Sequence, residues 1–180
     1  MNIPDALKKA GIPATLISNY ATAIALAFGE FNITSDKQQA MFLANVLHET
    51  GGLKFLRELW GPTPQQSRYE MSQSLGNTAR GDGFKFRGRG MIQTTGRANY
   101  ARAGARLKLD LLNKPELLEQ PLQAARSACL FWVDNKIGTL ADAGDFDGVC
   151  DKINKGHKTS AIGDSNGYAE RLAYYRKITS

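Results

Sequence analysis

The string His48-Glu49-Thr50-Gly51-Gly52 sets a base beside an acid at the edge of a strongly apolar segment. It begins like the zinc motif H-E-x-x-H, in which two imidazoles one helical turn apart share a metal. Position 52 is glycine, so the second ligand is missing and metallopeptidase chemistry is excluded. The only other histidine is His157, and no serine stands in a G-x-S-x-G elbow. Cys129 and Cys150 lie in apolar stretches without a C-x-x-C partner; both are expected to be reduced, buried and structural.

Carboxylates remain, and two suffice to hydrolyse a glycosidic bond. One must hold a proton for the leaving oxygen, and the other must direct water or attack the sugar. Glu49 suits the acid role, because the end of an apolar helix shields a carboxyl from water on one side. Glu58 is its natural partner, nine residues on. On one continuous helix that spacing would set the two on opposite sides. Gly51-Gly52 stops the helix, so the chain can reverse and bring Glu58 across a cleft from Glu49. Taken alone, Glu58 also fits an ordinary solvated carboxylate.

The elements around these residues read as helices. Residues 3–10 form one, with Pro4 suited to its first turn, and residues 14–28 form a second that stops at Gly29. Ser35 followed by Gln38 is a capping box that opens a third helix. Its residues 40–47, AMFLANVL, are apolar except for Asn45, which describes a helix buried nearly all round. A buried helix resumes at Pro121 and runs through Trp132, with Gly138 as its stop, and a last one covers residues 165–178. Glycines at 76, 81, 83, 88, 90, 96 and 104 mark irregular backbone between them. The only candidate for a short hairpin is FKFRG at Phe84.

The 180 residues, 42% hydrophobic and 22% charged, fit a single soluble globular domain over 1–180 with no repeat or linker. The apolar stretch at residues 21–28 is too short to span a bilayer and makes no convincing signal peptide, so no stable membrane insertion is expected. Synthesis in the cytoplasm, with release needed for any action outside, is the matching expectation for localisation. A net charge of +6 favours polyanionic partners in general. Aromatics interleaved with Lys85, Arg87 and Arg89 in GDGFKFRGRG could by themselves be a nucleic-acid contact loop.

Taken together, HETGG (48–52) and FRGRGMIQTTGRANY (86–100) resemble glycoside hydrolase family 19, the chitinases and their phage endolysin relatives. NKPELL (113–118), ACLFW (128–132), INKG (153–156) and ERLAYY (170–175) follow in the family's order, so the resemblance spans residues 36–178. It outweighs the nucleic-acid reading. It implies a mainly α, lysozyme-like helical domain with a catalytic cleft between two lobes and little or no β-structure. In it Glu49 matches the general acid, Glu58 the general base that activates water, and Thr95 the hydroxyl that helps hold that water. Gln93, Asn99, Tyr100 and Asn154 match groups lining the sugar cleft, with His48 orienting the acid there. Arg171 matches an arginine that interacts with the catalytic carboxylates. Lys136 is a candidate for a further family lysine at an altered spacing. No cofactor and no metal are implied. The plant-type disulfides are absent, so a shorter, more open cleft is expected.

These residues lead to the expectation of a monomeric peptidoglycan lysin, binding glycan strands and no nucleic acid. Its reaction would be the inverting hydrolysis of the β-1,4 bond between N-acetylmuramic acid and N-acetylglucosamine. The rivals are a chitinase on N-acetylglucosamine polymers and a non-catalytic carbohydrate- or nucleic-acid-binding module.

Overall fold

An eight-residue apolar run with a single polar interruption must be surrounded on every side, and residues 40–47 are all buried in the computed structural model, which describes residues 1–180. They form the centre of helix α3 (Asp36–Glu49), preceded by α1 (Ile3–Lys9) and α2 (Ala14–Glu30). After it come α4 (Pro64–Ser67), α5 (Asp82–Lys85), α6 (Arg97–Leu107), α7 (Pro121–Asp134), α8 (Ile137–Asp142), α9 (Phe146–Lys155) and α10 (Tyr168–Thr179). The chain is mainly helical, with the lysozyme-like architecture and no sheet. No helix is long and apolar enough to cross a membrane.

Two cores of unequal size divide the molecule. The larger collects α1, α2, α3 and the inner faces of α7, α8, α9 and α10 around Phe42. The Phe42 ring stands edge-on to Phe28 and to Trp132, with centroids 5.0 and 5.4 Å away. Such aromatic packing adds directional attraction to the burial of area. The smaller core holds Phe86, Tyr100, Leu107, Leu111 and Leu118. Helix α7 serves both, giving Cys129 and Trp132 to the first and Leu130 to the second. Both cysteines are buried and unpaired. Burial pushes the Cys150 thiol up to about 12 and Cys129 further in the same direction, so neither is a thiolate at neutral pH.

Several local expectations need correction. Ser35 does cap α3, its hydroxyl accepting from Gln38 N at 3.1 Å, but Gln38 does not reach back. Its amide instead donates to Asp142 Oδ2 at 2.8 Å, so only half of the capping box exists. The complete box is at α4, between Thr63 and Gln66. FKFRG forms no hairpin: Phe84 belongs to α5, and the backbone pairing lies just downstream, where Arg89 and Thr94 exchange hydrogen bonds. The glycine-rich span is not irregular throughout, since α6 starts just after Gly96 and passes through Gly104. A Cβ at Gly104 would lie 2.7 Å from Leu109 O, so this glycine permits close packing inside a helix. Gly138 does not stop α7; the chain breaks earlier, at left-handed Lys136, and Gly138 sits within α8 against Gln38. Helix α10 begins at Tyr168, later than expected, because Ser165 is held by Asp151 and Gly167 is left-handed.

Candidate active site

Glu49 ends α3, and the helix that packs most extensively on α3 is α10. From α10, the buried Arg171 reaches across and donates through Nη2 to Glu49 Oε1. Its other two nitrogens also donate: Nη1 to Asn45 Oδ1 at 2.8 Å and Nε to Asn166 O at 3.0 Å. Asn45 is itself anchored, donating to Met41 O one turn back at 2.9 Å. The single polar residue in the apolar run therefore orients the arginine that holds the acid. The partial shielding expected for Glu49 is present, with this buried polar relay on one edge, and about a quarter of its side chain stays open to solvent.

His48 does not face the same way. Its Nδ1 meets Glu170 Oε2 at 2.7 Å, and its ring lies where a Cβ on Gly167 would otherwise be. It fastens α3 to the start of α10 beside the acid. Asn154 is exposed and accepts from Asn166 N at 3.0 Å, so it supports the loop whose carbonyl receives Arg171.

The chain after Glu49 reverses at once. Gly51, Gly52 and Leu53 all have positive φ, a run that favours glycine strongly. Thr50 closes the turn, its hydroxyl donating to Val46 O and accepting from Leu53 N. Residues 56–58 then run beside residues 88–90: Glu58 N donates to Gly88 O and Gly90 N to Leu56 O, both at 2.9 Å. Glu58 sits at the end of this short pairing. Its Oε2 accepts from Gly88 N at 3.1 Å, and its Oε1 from Gln66 Nε2 at 3.0 Å and, at 3.5 Å, from the Tyr69 hydroxyl. Burial, with the nearby Glu58 charge added to it, raises the Tyr69 phenol.

The RGRG motif explains itself here. A Cβ on Gly88 would stand 2.6 Å from Gln93 Oε1, and one on Gly90 2.8 Å from Ser127 Oγ. The buried Arg89 between them spends its donors on Glu119, Lys85 O and the Tyr100 hydroxyl. It is a strut, not a free cation for a polyanion. The following turn places Gln93 (φ 49), whose amide donates to Gly90 O at 3.0 Å, and Thr95, whose hydroxyl donates to Gln93 O at 2.8 Å. Asn99 donates to Thr95 O at 2.8 Å.

Glu49, Glu58 and Gln93 line one open cleft of about 300 Å³, together with Phe55, Arg57 and Leu59. Thr95 and Asn99 line an adjoining groove of about 310 Å³ that shares Gln93. Four of the expected site residues, His48, Tyr100, Asn154 and Arg171, lie outside both. Tyr100 is fully buried, its hydroxyl donating to Arg87 O at 2.7 Å, because α6 turns it into the smaller core. Arg171, 1% exposed, touches the acid and not the cleft. Lys136 is exposed at the α7–α8 break and lines neither. Sequence reasoning missed Asn45 and Gln66. The lone polar residue in AMFLANVL and the T-x-x-Q box at 63–66 were visible, but not what their amides would face.

The chitinase class I family model matches residues 14–180. A glycosyl hydrolase family 19 domain-containing protein of Haemophilus influenzae is 30% identical, covering 87% of this chain and 86% of its own length. An endochitinase of Arabidopsis thaliana is 32% identical over 81% of this chain but only 52% of its own length; the chain spans about half or less of the plant relatives it matches. Among solved structures, chitinase C from Streptomyces griseus superposes with a TM-score of 0.65 at 26% identity, covering 90% of this chain and 81% of that one. A bacterial family 19 chitinase gives 0.62 at 27% identity, covering 90% and 86%. The chain belongs to glycoside hydrolase family 19, glycosidases that act on β-1,4-linked glycans.

Proposed function

We propose that this glycosidase is a peptidoglycan lysin, cutting between N-acetylmuramic acid and N-acetylglucosamine by one inverting displacement and reaching the wall after release from the cytoplasm. The observation that carries the chemistry is that two carboxylates, each held differently, line a single open cleft. Glu49 gives its proton to the glycosidic oxygen as the bond from C1 breaks. A water molecule adds to C1 from the opposite face, and its proton passes to Glu58. Thr95 has its hydroxyl proton committed to Gln93 O, which leaves its lone pairs to accept from that water. Arg171 holds Oε1 of the acid, and Oε2 is left to face the sugar.

The net charge of +6 supports an anionic polymer over a neutral one, since long-range attraction raises the encounter rate only where the partner is charged. The second reading is chitin hydrolysis, favoured by the relatives described as endochitinases and by the solved chitinases. Assaying peptidoglycan and colloidal chitin side by side decides between them. Muropeptides with a new reducing end at muramic acid, released at a higher kcat/KM than chitin oligomers, support the lysin. Turnover of chitin alone would overturn it.

A further inference from the structure

The groove that adjoins the cleft across Gln93 has a divided lining. Leu75, Ile92, Ala103, Leu130 and Phe131 make an apolar wall, and Thr95, Asn99, Arg102, Asp134 and Asn135 make the polar one. Asn99 and Asn135 each use the amide nitrogen on a backbone carbonyl, at 2.8 and 2.9 Å, and keep the amide oxygen for an incoming hydroxyl or acetamido N–H. Apolar surface for a sugar face beside fixed amide acceptors is what a pyranose needs.

The charges are what distinguish this groove. Asp134 is neutralised by Arg106 at 3.0 Å. Arg102 has no hydrogen bond or ion pair with the protein, whereas the arginines at 89, 97, 126 and 171 are all bonded to carboxylates. The groove therefore carries one uncompensated guanidinium, on the same face of α6 that presents Asn99. A guanidinium offers a flat pair of donors matched to a carboxylate. A fully acetylated chitin strand has no carboxylate. A muramyl strand has one on the lactyl side chain of every second sugar, or on the peptide attached there.

We propose that Arg102 is a specificity-determining residue, taking a carboxylate carried on a sugar substituent in this groove, so that the enzyme prefers anionic over neutral β-1,4 glycans. This rests on the reading that the natural polymer is the anionic one, yet it can be measured apart from it. Carboxymethyl chitin and glycol chitin share a backbone and differ in charge. The parent enzyme has the lower KM for the carboxymethyl polymer, and Arg102→Gln reduces that preference roughly two- to fivefold, the range of one exposed ion pair. Arg102→Glu reduces it further, Arg102→Lys retains most of it, and raising the salt erodes it in the parent. An equal KM ratio in the parent and Arg102→Gln overturns the proposal, as does a parent with no preference or a loss that falls equally on both polymers. If the parent shows the Arg102-dependent preference but leaves peptidoglycan intact, the lysin reading fails and this one stands. If it digests peptidoglycan while the ratio ignores Arg102, the reverse holds.

Discussion

The two carboxylates proposed to carry the chemistry are held by opposite kinds of structure. Glu49 ends a fourteen-residue helix whose central turns are buried throughout, and its partner Arg171 comes from the helix packed along it. Glu58 ends a two-bridge patch of extended chain, and its partners are a side-chain amide from the one-turn helix α4, a backbone N–H and a phenol. Glu49 is placed by the large core and Glu58 by local hydrogen bonding. Damage on the acid side should therefore cost stability and activity together. Damage on the base side should cost mainly activity.

The largest effect tests the acid itself. Glu49→Gln keeps the shape, loses the proton, and lowers kcat about 10²- to 10⁴-fold; because it also takes the counter-charge from the buried Arg171, the melting midpoint falls with it. Next comes the pair that separates the two supports. Asn45→Ala strands a buried donor of Arg171 and costs about 1–3 kcal/mol in denaturant unfolding, with turnover falling alongside. Gln66→Glu keeps the side-chain oxygen that caps α4 but removes the donor to Glu58 Oε1, and lowers kcat on the order of tenfold to a hundredfold through misplacement. Its unfolding midpoint should move much less than that of Asn45→Ala; an equal loss would break the comparison.

A smaller, pH-dependent effect concerns Asp151, which anchors the loop carrying Asn166. Burial pushes its carboxyl up, but hydrogen bonds from Ser165 and Thr159 and the charge of Lys155 together outweigh it and hold the group at about 2. A carboxyl lowered on folding contributes stability above its ordinary value of 3.8 and loses it as pH falls toward 2. The stability gap between the parent and Asp151→Asn should thus be widest from pH 5 to 7 and narrow below pH 4, read by urea unfolding.

This contrast also explains what could be read in advance. Apolar periodicity announced α3, α7 and α10, because burial of a whole face leaves a trace in residue type. The H-E-T-G-G sequence placed the acid at a helix end for the same reason. The short α5 and the helix threaded through Gly104 leave no such trace, since their geometry depends on where Glu70, Leu109 and Leu75 lie in space. Tyr100 shows the limit most plainly. Its motif suggested the cleft, but one step along α6 from Asn99 turns a side chain by about 100°, here into the smaller core.

The configuration of the first-formed product tests the two-carboxylate scheme most directly. Proton NMR of a soluble β-1,4 oligosaccharide during the first turnovers, before mutarotation, should show the α-anomer at the new reducing end. A β-anomer as the initial product would mean that no water attacks opposite the leaving group, and the assignment of Glu58 as its base would be wrong.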